Sequence, residues 1–356
     1  MYLRKLVVLA GLGLPLQAMA CEFPPGFFQR ISFDPGNLVV GRDAPIGSLI
    51  FSSETLHTYR TVVFSPVKID CPEQTVFEVT TPLRQETGSP WVAPGEVLLH
   101  TNIPGVGLAV LASFGDPLPG RHWQFIPGQG LFGWGVPHRE IISPAEVGGA
   151  IEVPFVNSLK YHYRLIKIGP IDPGMGPQPL AGHTLAQFTS NRSGKVLEVD
   201  FSGGTLNVAQ CGLTGEPSKQ VRVPMGTWQV SHFSGPGSFT DTKSFYLPFM
   251  KCVGGTVPGN YPIGYLRLDP RNGSPVVDSA NGIIGLNSES DATGIGVQVM
   301  EEYGPKPMRL TEEVPLFEVP NYELVLPLSA RYIQLGDATP TAGVANASLS
   351  FTLTYK

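Results

Sequence analysis

The segment from Asn346 to Lys356, NASLSFTLTYK, alternates between apolar and polar residues. Leu349, Phe351, Leu353 and Tyr355 share one face, and Ser348, Ser350, Thr352 and Thr354 the other. A period of two is the mark of a strand buried on one side. Chain ends are ordinarily polar and frayed. This strand therefore belongs to a core, and something must complete that core. Taken alone, the pattern fits the last strand of a complete sandwich equally well.

The rest of the chain is punctuated in the same style. Helical periodicity is almost absent, and 42 glycines and 35 prolines break the sequence into short Val-, Ile-, Thr- and Phe-rich runs. Both residues interrupt helices and mark turns, so the fold class is all-β, with two β-sandwich domains for 356 residues. Strand candidates include residues 59–64, 107–111, 161–168, 220–224, 244–249, 296–300 and 323–328. The run IDPGMGPQP, residues 171–179, is either a linker or a long loop within the first domain. Two strand-like runs follow it before Cys211, which places the boundary near residue 205 and divides the chain into 21–205 and 206–356.

Residues 1–20 have the layout of a secretory signal peptide: Arg4 and Lys5, an apolar run over 6–16, then Ala18-Met19-Ala20 as a cleavage site. The mature chain is expected to begin at Cys21. A lipoprotein signal would want leucine where Ala18 stands. An even count of four cysteines in an exported chain implies disulfides among Cys21, Cys71, Cys211 and Cys252. Three connectivities are possible, and the spacing favours Cys21–Cys71 with Cys211–Cys252. No CxxC and no paired His/Cys spacing points to a metal, and no cofactor is implied. With 15% charged residues, a net charge of −5 and no basic patch, nucleic acid is not an expected partner. GxSxG, HExxH and Walker A motifs are absent, and Gly294-Ile295-Gly296 has Val299 where a third glycine would belong. The chain is read as a non-enzyme.

From Cys211 onward one series of motifs stands in order: VRVPMG, FYLPFMKC, DSANGIIGL, DATGIGVQVM, YELVLPLSARYIQLG and TPTAGVANASLSFTLTYK. Together they resemble the pilin domain of chaperone–usher fimbriae in its tip-adhesin form, as in type 1 fimbrial adhesins. NIPGVGLAV, YRLIKIGPI and AGHTLAQF resemble, more loosely, the lectin-like adhesin domain of the same family. The resemblance implies an immunoglobulin-like sandwich lacking its final strand. A periplasmic chaperone would fill the gap first, then the next fimbrial subunit, after passage through an outer-membrane usher. Leu349, Phe351, Leu353 and Tyr355 would line the groove and meet the chaperone. Tyr355, just before Lys356, matches the family's penultimate aromatic, and the terminal carboxylate is implied to dock on basic chaperone residues. A mature chain opening at Cys21 has no free extension to donate. That implies export through the periplasm to the fimbrial tip on the cell surface.

A tip position implies a receptor-binding domain. Sugars stack on aromatic rings and share hydroxyls with amides, carboxylates and guanidinium groups. The stretch 117–140 is rich in such residues, among them Arg121, Trp123, Trp134, His138 and Arg139, with His122, Gln124, Phe125 and Phe132 beside them. Trp91, and Tyr59 with His57 and Arg60, are further candidates. Trp123 and Trp134 fit equally as core residues of alternating strands. The expected receptor is a host or surface glycan, with a protein, an abiotic surface or a purely structural role as alternatives. Mannose specificity is not carried over, because a chain opening at Cys21 would disturb a pocket built on a free N-terminus.

Overall fold

The computed structural model describes residues 26, 28–53, 61–62, 75–93, 96–114, 133–142, 159–213, 220–302 and 306–356. It is 49% strand and 2% helix, so the all-β class holds. Four sheets organise it. The first runs β1 (Gln29–Phe33), β14 (Gly194–Phe201), β13 (Thr184–Ser190), β5 (Thr75–Thr80) and β10 (His138–Ile142). The second runs β3 (Leu49–Ser52), β11 (Leu159–Lys167), β8 (Val106–Phe114), β7 (Val97–His100) and β6 (Gln85–Thr87). In it β4 (Thr61–Val62) pairs β11, and β9 (Gly133–Gly135) pairs β8. These two sheets share one core, in which Tyr163 meets the rings of Phe33, Phe51 and Phe201 at 5.0, 5.5 and 5.2 Å.

The third sheet runs β12 (Gln178–Pro179), β15 (Thr205–Leu213), β16 (Lys243–Val253), β22 (Leu324–Gln334), β20 (Ile295–Glu301), β19 (Ile283–Gly285) and β18 (Val276–Asp278). The fourth is small: β21 (Val314–Glu318), β17 (Ile263–Pro270) and β23 (Leu349–Tyr355). They enclose a second core around Leu247, Phe249, Leu266, Val299, Leu328 and Tyr355. The Cys211–Cys252 disulfide staples β15 to β16, as the spacing favours. Cys21 and Cys71 lie outside the described residues.

The Pro/Gly run over 171–179 is a loop of the first domain. It makes a short turn at Pro173–Met175, returns as β12 against β15, and leads into Leu180, buried in the first core. Residues 220–224, expected as a strand, pair with no strand in the described structure.

The two cores meet at a shared ribbon. β2 (Asn37–Gly41) lies parallel to β15, with Leu38 opposite Leu206 and Val40 opposite Val208. Those four side chains enter the first core, whereas Val39 and Ala209 enter the second. Alternation in a strand sends successive side chains to opposite faces, so one pair of strands seals both cores at once. Asn260 fixes β2 from the second domain. Its amide donates to the carbonyls of Val39 (2.9 Å) and Ile50 (2.7 Å) and accepts from the Val39 N–H (2.6 Å).

Candidate functional site

β23 pairs on one side only. Ile263 and Lys356 exchange backbone hydrogen bonds of 2.6 and 3.0 Å, and the ladder continues with Thr354 opposite Tyr265 and Thr352 opposite Arg267. In an antiparallel ladder, alternate residues turn their backbone groups toward one neighbour. Those of Leu349, Phe351, Leu353 and Tyr355 therefore face away from β17. On that outer side β23 has no strand neighbour in the described structure.

What lies there is a trough of about 1260 Å³. Its floor is the core of the second sandwich: Leu247 from β16, Leu268 from β17, Val297 and Val299 from β20, and Leu328 from β22. One wall is Ala345, Ala347, Leu349 and Phe351. The other is the segment Val221, Val223, Met225 and Trp228. In that second wall Val223 and Met225 are half-buried while Arg222 and Pro224 are exposed, a strand-like alternation without a partner. The wall is pinned by the Trp228 Nε1–H donating to the Met225 carbonyl (2.8 Å) and by Lys243 over the Trp228 ring at 5.4 Å. Opposite it, the Tyr332 hydroxyl donates to the Ala345 carbonyl (2.7 Å), and burial raises that hydroxyl's pKa, so it stays a neutral donor.

The site is therefore a slot between two extended backbone edges over an apolar floor. Its geometry suits an extended segment with apolar side chains at every second position, bonded through its main chain. Its lining holds few charges, Arg222, Arg271 and Glu289. No group of three or more His, Cys, Asp or Glu suited to a metal occurs among the described residues.

Of the expected wall residues, Leu349 and Phe351 line the trough, and Leu353 and Tyr355 lie beyond its end. Tyr355 is instead almost wholly buried in the second core, and its backbone meets the turn at Asp43 of the first domain. Its N–H donates to Asp43 Oδ2 (2.9 Å) and its carbonyl accepts from the Asp43 N–H (2.9 Å). Burial raises its phenol pKa. The second wall carries a sequence signal, the alternation of Val221, Val223 and Met225, but its role as a wall shows only in three dimensions.

The described receptor-binding candidates are divided between the two sheets of the first sandwich and the turn at Trp91. Arg121, Trp123 and Tyr59 lie outside the described residues. Trp134 sits on β9 opposite Ala112, in the second sheet, whereas His138 and Arg139 sit on β10 in the first. The chain crosses the sandwich between them. Arg139 is exposed and pairs with Glu78 at 3.0 Å. Trp91 is 39% exposed and lies against Gly47, where a Cβ would stand 2.4 Å from its ring. Ile46 and Leu49 are exposed nearby in sequence.

Residues 200–356 match the family model described as fimbrial protein. A type-1 fimbrial protein subunit of Serratia marcescens is 29% identical over an alignment of 187 positions that covers 50% of this chain and 97% of that protein. Among solved structures, the CupB6 tip adhesin from Pseudomonas aeruginosa is 17% identical, covering 90% of this chain and 93% of its own, with a TM-score of 0.36. The receptor binding domain of the plasmid-born adhesin MrkD1P of Klebsiella pneumoniae is 15% identical, covering 52% and 94%, with a TM-score of 0.35. Residues 200–356, with their stapled sandwich and open edge, are thus the part of the chain that is similar to fimbrial proteins, and they lie behind a second β-sandwich.

Proposed function

We propose that the chain is a tip adhesin of a chaperone–usher fimbrium. In this reading residues 1–20 direct export, residues 21–205 bind a receptor, and residues 206–356 anchor the chain by accepting a β-strand. The observation that carries the reading is the trough, whose floor is the domain's own core. A periplasmic chaperone supplies the strand first, and the next subunit replaces it after passage through the usher. The domain ahead of β15 is folded rather than a free donor segment, which supports a chain that receives a strand at its own groove and presents a binding module outward. The receptor is a surface glycan. A protein or abiotic surface is the second reading, favoured by the exposed apolar side chains of Ile46, Leu49 and Trp91.

The test uses the full chain and a synthetic peptide of alternating valine and threonine. The peptide is expected to bind and to raise the melting temperature, and Leu349→Lys in the wall to abolish both effects. A chain that is a stable monomer and does not respond to the peptide overturns the reading. Screening the peptide-filled chain against glycan arrays and immobilised matrix proteins separates the two receptor classes.

A further inference from the structure

We propose that the Gly41–Asp43 turn of the first domain ends the acceptor edge of β23, so that the chain itself sets how far an incoming strand can pair. This rests on the strand-acceptor reading above. The turn already makes the bonds that an added strand would make at the end of the ladder. Asp43 takes both backbone groups of Tyr355, at 2.9 Å each. The Arg42 guanidinium donates to the Leu353 carbonyl (3.3 Å) and lies 5.2 Å from the centre of the Tyr355 ring. The backbone edge is thus occupied at the Leu353 carbonyl and at Tyr355, where the trough ends, and has no strand neighbour among the described residues at Leu349 and Phe351, where the trough lies.

The turn is held too firmly to be a passing contact. A Cβ on Gly41 would stand 2.5 Å from the Tyr355 carbonyl oxygen and 2.7 Å from the Lys356 Cα, so only glycine allows this approach. Buried Lys167, on β11, donates from Nζ to the carbonyls of Gly41 (3.2 Å) and Arg42 (2.9 Å). β2, from which the turn springs, is locked by its pairing to β15 and by Asn260. A strand that ran past Phe351 would have to break the charge-assisted bonds from Arg42 to the Leu353 carbonyl and from the Tyr355 N–H to Asp43, and meet the first domain's backbone. A strand that stopped at Phe351 would meet neither. Arg42 and Asp43 are therefore specificity-determining residues for the length and register of the donor.

Amide hydrogen exchange on the full chain tests this without any substitution. In the free chain the Tyr355 amide is expected to be protected and the Phe351 amide to exchange freely. Binding of the alternating valine–threonine peptide should protect Phe351 and leave Tyr355 unchanged. A Tyr355 amide that exchanges freely until the peptide binds overturns the proposal. A second arm compares a peptide reaching Phe351 with one long enough to pair as far as Tyr355. Wild type should bind both equally, whereas Asp43→Ala, or the milder Arg42→Ala, should favour the longer about tenfold. An equal gain in wild type overturns the stop and leaves the acceptor reading standing. Failure of both peptides to bind any of the three proteins strikes the acceptor reading itself.

Discussion

The two sandwiches meet the same problem, an amphipathic strand at the edge of a sheet, and treat it oppositely. In the first domain the edge of β14 is covered by the chain's own β1, which pairs with it in parallel from Gln29 to Phe33 and buries Ile31 and Phe33. β2 does the same for β15. In the second domain β23 carries the same kind of alternation, yet nothing pairs beyond it over the trough, and Leu349 and Phe351 stay half-exposed. Amphipathic alternation therefore sets which face of a strand is buried, and the neighbouring strand decides whether burial is completed. One core is finished by residues near it in the fold, and among the described residues no strand lies along the open edge of the other.

The largest effect expected from this contrast comes from erasing it. A flexible Gly/Ser linker and an alternating valine–threonine strand joined after Lys356 would let the second domain fill its own trough. Several apolar side chains at ~1.5–3 kcal/mol each, less the ordering of the segment, should stabilise that domain by roughly 5 kcal/mol. Denaturant titration checks it, and an unchanged midpoint would mean that the trough is not a strand site. Next in size is the staple. The open sandwich holds Cys211–Cys252 across a sequence separation of 41, and loop-closure entropy gives about 4 kcal/mol for its loss. Cys211→Ala with Cys252→Ala should lower the unfolding transition of the second domain ahead of the first. A single shared transition would show that the common β2–β15 ribbon makes the two cores unfold as one body. Asn260→Ala follows. It leaves the Val39 N–H and two carbonyls without partners in a buried place, and should cost about 3 kcal/mol. Because that amide spans the domains, both transitions should fall together, unlike the effect of losing the staple.

Part of this was open to reading from the sequence. GIGVQVM and the core of YELVLPLSARYIQLG become β20 and β22, paired side by side, because strong alternation in β-rich runs is local information. The half-buried face of β23 was legible for the same reason. The contact between domains was not, since Asp43 and Tyr355 are 312 residues apart and no short-range pattern joins them. A fainter signal did exist. Leu38, Val39 and Val40 are consecutive and all buried, and an unbroken apolar run marks a strand covered on both faces. The scattering of Trp134 and Arg139 onto opposite sheets could not be read, because alternation says which side of a strand is apolar and not which sheet the strand joins.

The smallest effect probes the junction where the finished and unfinished halves touch. Burial pushes the Asp43 carboxyl up, but hydrogen bonds from Arg42 and the Tyr355 N–H, with the charges of Arg42 and Lys167, outweigh it and leave its pKa below the ordinary carboxylate value. A carboxylate depressed in the folded state adds stability that is present above its unfolded pKa, ~3.9, and lost as pH falls through the folded one. Glu198, Asp278 and Glu313 are lowered too, so the raw acid limb mixes all four. The comparison of wild type with Asp43→Asn isolates one. Near neutral pH the variant should be weaker by on the order of 1 kcal/mol, since Asp43 is partly exposed. The gap should hold down to mildly acidic pH and close only below the ordinary carboxylate range. Arg42, Lys167 and Lys356 keep their charge throughout that window, and the Tyr355 phenol stays neutral, so none of them can mimic the change. A gap that closed near neutral pH would assign the effect to another group. No gap at any pH would show that the carboxylate's bond to the Tyr355 N–H adds nothing beyond what an amide supplies, and that the charge of Asp43 does not help hold the first domain against that edge.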